Sequence, residues 1–169
     1  MSDSITPWVH IVAVTVWLGP QFFMFLVTIP AVRVIEDPEV RLKVMRVIVT
    51  RFGWLAWAAM AVIVLSGISN LFQEANEFGH LWDPEYRYFQ IFSTKMLLVG
   101  LIVFLTALHT FVIGPKQLRL MEEMRSDSAE AASLRRSSII ISSLTLLVSI
   151  AVVYAGALLA NHDYSFQLT

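Results

Sequence analysis

The stretch WVHIVAVTVWLGPQFFMFLVTIP, residues 8–30, is apolar at almost every position, yet it holds His10, Pro20 and Gln21. Roughly 20 apolar residues suffice for a helix to cross a bilayer, so this stretch reads as a membrane span that keeps an ionisable side chain and a helix breaker. Three further runs have the same character. The expected spans are about 7–31, 52–73, 91–114 and 138–160, with ends uncertain by roughly 2–4 residues. Between them lie a charged segment (32–51), an aromatic-rich segment (74–90) and a Ser/Glu/Arg segment (115–137). These leave no room for a second domain. The expectation is an all-α integral membrane protein, with residues 1–169 forming one four-transmembrane-helix bundle.

Composition agrees. Hydrophobic residues make up 57% of the 169 residues, charged residues 15%, and mean hydropathy is +0.68, too apolar for a soluble domain of this size. A net charge of −1 gives no electrostatic case for nucleic acid. The chain has no cysteine, which excludes disulfides, iron–sulfur clusters and thiolate metal sites. A bound metal would have to use His, Met, carboxylate or backbone ligands. The opening MSDSITP lacks a basic n-region, so the first span reads as retained and not as a cleaved signal.

Of the 12 Lys+Arg, Arg33, Arg41, Lys43, Arg46 and Arg51 fall in or beside the first link. Lys116, Arg119, Arg125, Arg135 and Arg136 fall in the third. Only Arg87 and Lys95 remain for the other side. The positive-inside rule then puts links one and three in the cytoplasm and both termini in the periplasm. Phe78, Trp82, Tyr86, Tyr88 and Phe89 of the second link suit the outer interface.

Span 1 ends VTIPAVRV and span 3 ends FVIGPKQLRL; span 2 ends VLSGISN and span 4 ends VYAGALLAN. These short matches suggest two helical hairpins in parallel orientation. Aligning Pro30 with Pro115 pairs His10 with Lys95 and Met24 with His109. The two layers are 14 residues apart, about 21 Å, so His10 and His109 are not expected to share one metal ion. On span 1, His10, Trp17, Gln21, Met24 and Thr28 share a face; on span 3, Lys95, Ile102, Thr106 and His109 do. Span 2 offers Ala56, Ala59, Ser66, Gly67 and Asn70. Span 4 offers Ser143, Tyr154, Ala157 and Asn161, interrupted by Ile150. Such polar and small faces belong inside the bundle.

Each candidate has a plainer reading. His10 could sit in the interface, Met24 could be packing, and Lys95 could snorkel outward. His162 could approach His10, while His80 reads as a surface residue. Pro20 could kink its helix and free a carbonyl for Gln21 or a neighbour. The charge run Glu122–Arg136 reads as a solvated loop.

The pattern WVHIVAVTVWLGPQFF…VTIPAV, followed by ALHTFVIGPK, resembles the copper-resistance D (CopD)-like superfamily of small membrane proteins. The features carrying the resemblance are His10, Trp17 with Gly19, Lys95 and His109. Related four-span groups include the haem-binding bacterial protoporphyrinogen oxidase, from which this chain departs at Gly19-Pro20-Gln21. The resemblance implies a bundle with haem b or copper chemistry in a bacterial inner membrane. The favoured expectation is a haem-b redox protein exchanging electrons with quinone or a periplasmic redox partner. His109 with Met24 would ligate an inner haem, and His10 with His162 or Lys95 an outer one. The alternatives are copper transport or resistance, with His10 and His109 as metal ligands, and a non-catalytic assembly subunit. Copper(I) favours sulfur ligands, and the only close methionine pair, Met121 and Met124, lies in a link. A homo-oligomer is compatible with each reading.

Overall fold

The computed structural model describes residues 5–77, 81–123 and 128–168. Four long helices, each apolar enough to cross a membrane, make up an all-α four-span bundle. Span 1 is Ile5–Arg33, span 2 Pro38–Glu77, span 3 Arg87–Glu122 and span 4 Ala129–Ala160. A short terminal helix, His162–Ser165, follows.

The helices run beyond the apolar stretches. Span 2 has 40 residues, about 60 Å at 1.5 Å each, twice a hydrocarbon core of about 30 Å. Most of the charged segment 32–51 is therefore helix and not loop. The same holds for the charge run: Glu122 ends span 3 and residues 129–136 are the first turns of span 4. Hydropathy marks where lipid begins, whereas capping marks where a helix begins. The Asp37 carboxylate accepts from the backbone N–H groups of Glu39 at 2.8 Å and Val40 at 3.2 Å. The Ser128 hydroxyl accepts from Ala131 N at 3.1 Å. Each satisfies donors that a helix start leaves orphaned. An Arg46–Glu122 ion pair links spans 2 and 3 at this basic end of the bundle.

Span 1 packs chiefly along span 2, and span 3 along span 4; contacts between the two hairpins are sparser. The hairpins repeat one another. Span 1 contains a π-helical turn, Met24–Thr28, and span 3 contains another, His109–Ile113. Both begin six residues before a proline, at Pro30 and Pro115, so the offset is 85 throughout. A proline ring collides with the carbonyl four residues earlier, and the wider turn relieves that collision. In both spans the residue just before the proline closes the turn with a bond to the carbonyl five residues back. Spans 2 and 4 superpose in sequence at an offset of 89, through Gly67 and Gly156.

The same equivalences build the core. Trp17 corresponds to Ile102, Ala59 to Val148 and Met60 to Ser149, and all six are buried. Trp17, Ala59, Met60, Ile102 and Val148 form one apolar cluster with Ala56. Trp17 Nε1 donates to Ser149 Oγ at 3.1 Å across the hairpin seam. Ser149 Oγ in turn donates to Thr145 O at 2.8 Å. The indole N–H and this hydroxyl are thus both satisfied within the core. Outward positions such as Leu97, Phe104 and Leu147 are exposed, as lipid-facing residues of a span must be.

Span 4 corrects one expectation. Its buried face is Thr145, Val148, Ser149, Ala155 and Leu159, whereas Tyr154, Ile150, Ala157 and Asn161 are exposed. Thr145 and Ser149 bond the carbonyls four residues behind them, so their hydroxyl protons are satisfied within the helix and the face can be buried. Tyr88 also differs from expectation. It is buried, stacked on Phe166 at 5.3 Å between centroids, within a cap that includes Leu81 and Leu159. Trp82 is exposed, as an interface residue should be. The cap is fastened by Arg87, whose N–H donates to Gln167 O at 3.1 Å and whose guanidinium lies 4.8 Å above the Tyr164 ring.

Candidate functional site

The His10, Trp17, Gln21, Met24 and Thr28 face of span 1 turns toward the interior, whereas Thr15 is exposed and bonds Ile11 O. Trp17 and Gln21 are buried, and His10, Met24 and Thr28 are partly so. Pro20 lacks the N–H that Val16 O would receive. The Gln21 side chain bonds the neighbouring carbonyl instead, with Nε2 donating to Trp17 O at 3.2 Å.

His10 lies at the end of the bundle opposite the basic links. Its Nδ1 is 2.9 Å from Ser66 Oγ on span 2, and the Ser66 hydroxyl lies 2.6 Å from Val62 O. A hydroxyl has one proton, and the shorter contact takes it. Ser66 Oγ therefore accepts from His10, which fixes the neutral ring as the Nδ1–H tautomer and leaves a lone pair on Nε2. Metal-binding histidines are commonly oriented this way, through a hydrogen bond from the ring nitrogen that does not bind metal. Gly67 makes the approach possible: a Cβ there would stand 3.3 Å from His10 Cε1.

Lys95, the repeat equivalent of His10, is partly buried beside span 4. A Cβ on Gly156 would lie 3.7 Å from its Nζ. His10 on Gly67 and Lys95 on Gly156 are thus the same contact made twice. Lys95 is also within electrostatic reach of His10.

His109 occupies the other end. Its Nε2 is 3.0 Å from Ser138 Oγ, near the start of span 4. Met24, its equivalent, likewise opens a π-helical turn and is partly buried. His162 does not join His10; its Nε2 is 3.4 Å from Glu74 Oε1 on span 2. His80 and Met124 lie outside the described residues.

The structure thus brings His10 together with Ser66, Gly67 and the field of Lys95, and separates it from His109. Among the described residues no group of three or more His, Cys, Asp or Glu is poised to hold a metal. Two surface hollows of about 280 and 290 Å³ lie along the first turns of spans 4 and 2, lined by Arg135, Arg136 and Ile139 and by Lys43, Val47 and Ile48. Neither touches a candidate ligand. His109 Nε2, the nitrogen expected to ligate a haem shared with Met24, faces Ser138 Oγ. Sequence reasoning missed Ser138 as a partner and Glu74 as part of a site. The signal for Glu74 was present: Ser66, Asn70 and Glu74 recur every four residues, one polar stripe on span 2.

The family model described as copper resistance protein D matches residues 46–158. No curated protein and no solved structure matches the chain.

Proposed function

The chain belongs to the copper resistance protein D family, and from that premise we propose that it handles copper ions as cargo within the bilayer, with His10 Nε2 as the first ligand in the membrane. The observation that carries this reading is the His10–Ser66–Val62 chain of hydrogen bonds, which holds the imidazole through Nδ1 and so leaves Nε2 as the nitrogen to receive an ion. Copper accepts imidazole nitrogen, and in its reduced form thioether sulfur. Met24 and His109 are the corresponding candidates toward the basic end. Lys95 opposes a cation at His10 and so limits how tightly the ion is held, a property suited to passage more than to storage. The charge asymmetry of the links supports a bacterial inner membrane location with both termini periplasmic, the four spans forming one domain. A haem-b redox role gains nothing from the His109 geometry.

The test joins cell and protein. Expression in a copper-sensitive bacterium should change copper tolerance and cell copper content, and His10→Ala should abolish the change. Purified protein should lack a Soret band. A Soret band with reducible b-type α bands would replace copper with haem, and an unaltered phenotype in His10→Ala would remove His10 from the path.

A further inference from the structure

Two buried acceptor oxygens on span 2, Asn70 Oδ1 and Glu74 Oε2, have no hydrogen-bond partner. The residues are four apart, so their side chains are neighbours on one helix face. Beside Glu74 stands His162, on the terminal helix that follows span 4. Its Nε2 lies 3.4 Å from Glu74 Oε1, longer than the usual N–H···O range of about 2.7–3.2 Å. Two donors held tetrahedrally at about 2.0–2.1 Å from a metal stand about 3.3–3.4 Å apart. The imidazole and the carboxylate therefore already have the spacing of two ligands on one ion. The unpartnered oxygens supply further donors, and an open position can take water.

We propose that Asn70, Glu74 and His162 form a binding site for a divalent transition-metal ion at the His10 end of the bundle. The donor set selects the class of ion. One imidazole, one carboxylate and one amide oxygen, with no sulfur, suit Zn²⁺ or Cu²⁺ better than Cu⁺. The carboxylate charge distinguishes this site from His10, where Lys95 repels a cation. Glu74 lies within electrostatic reach of Tyr88, a buried member of the aromatic cap. His162 keeps 43% of its side-chain surface exposed, so an ion has a route in from the aqueous side. The site stands on its own donors and does not rest on the copper reading of His10.

The experiment uses the full chain in lipid nanodiscs, titrated calorimetrically with Zn²⁺ and, separately, loaded with Cu²⁺ for electron paramagnetic resonance. Glu74→Gln and His162→Gln should each weaken Zn²⁺ binding at least tenfold. His162→Gln should remove the nitrogen splitting of the Cu²⁺ spectrum at this site, and Leu147→Ala, at an exposed position of span 4, should leave Zn²⁺ binding unchanged. Should Glu74→Gln fail to fold, the partly exposed His162→Gln decides alone. Parent-like Zn²⁺ affinity in His162→Gln, or no binding by the parent chain, would overturn the proposal. Zn²⁺ bound here with no copper at His10 would sustain this site and remove the earlier reading.

Discussion

Replacing Trp17 and Ser149, singly and together, measures the bond that crosses the seam between the hairpins. Both residues are buried, at 8% and 3% exposure, and the indole N–H to Oγ distance is 3.1 Å. The two single changes differ in what they strand. Trp17→Phe removes the donor, but Ser149 keeps its 2.8 Å bond to Thr145 O. Ser149→Ala leaves the indole N–H buried without an acceptor, which costs about 1–3 kcal/mol in a protein interior. Hydrogen bonds between membrane helices measured by double-mutant cycles average about 0.6 and reach about 1.7 kcal/mol. The burial of this pair places it toward the upper part of that range, about 1–1.7 kcal/mol of coupling. The assay is reversible unfolding in mixed micelles. The cost of Ser149→Ala is measured once in the parent chain and once in the Trp17→Phe variant. It should be smaller in the variant, by the coupling energy. Equal costs within about 0.3 kcal/mol, the usual scatter of independent sites, would refute the inference that this bond joins the hairpins.

Gly67→Ala should push the His10 ring aside, since the added methyl meets Cε1 at 3.3 Å; copper affinity should fall while stability changes little, the helix gain of about 0.5–1 kcal/mol offsetting a weakened hydrogen bond. Gly156→Ala, with only Lys95 Nζ at 3.7 Å, should stabilise the protein in the same unfolding assay. Lys95→Met should tighten copper binding at His10 by removing a like charge, and equilibrium dialysis against a copper chelator would read the shift; weaker binding would make Lys95 a helper instead. Reporter fusions after Asp37 and after Glu85 should give cytoplasmic and periplasmic signals respectively, and the reverse pattern would invert the proposed orientation.

The fold was legible because lipid imposes a simple rule on sequence. Four apolar runs of sufficient length mean four helices, and the prolines at 30 and 115 register the repeat. The two π-helical turns were not visible, since they arise from ring–carbonyl collisions and not from composition. The helices extend past the expected spans to Asp37 and Ser128, where capping and not hydropathy sets the helix boundary. Span 4 was rotated in the sequence reading because it carries two stripes of small and hydroxyl residues. Only packing against Trp17 distinguishes the Thr145–Ser149 stripe from the Tyr154–Asn161 one. For the candidate site, His10 with Lys95 and Met24 with His109 were legible as repeat-related pairs, because Pro30 and Pro115 set the register. Their partners were not, because Ser66 and Ser138 are ordinary residues until a histidine points at them. His162 was assigned to His10, but the terminal helix carries it to Glu74, a residue the sequence reading had left in a link.

The most direct measurement is copper K-edge X-ray absorption on the copper-loaded chain carrying Glu74→Gln and His162→Gln, so that the second site contributes nothing. The ion should display imidazole scattering that disappears in His10→Ala and persists in His109→Ala. A spectrum unchanged by His10→Ala would contradict the claim that the Ser66-oriented imidazole is the ligand that receives copper.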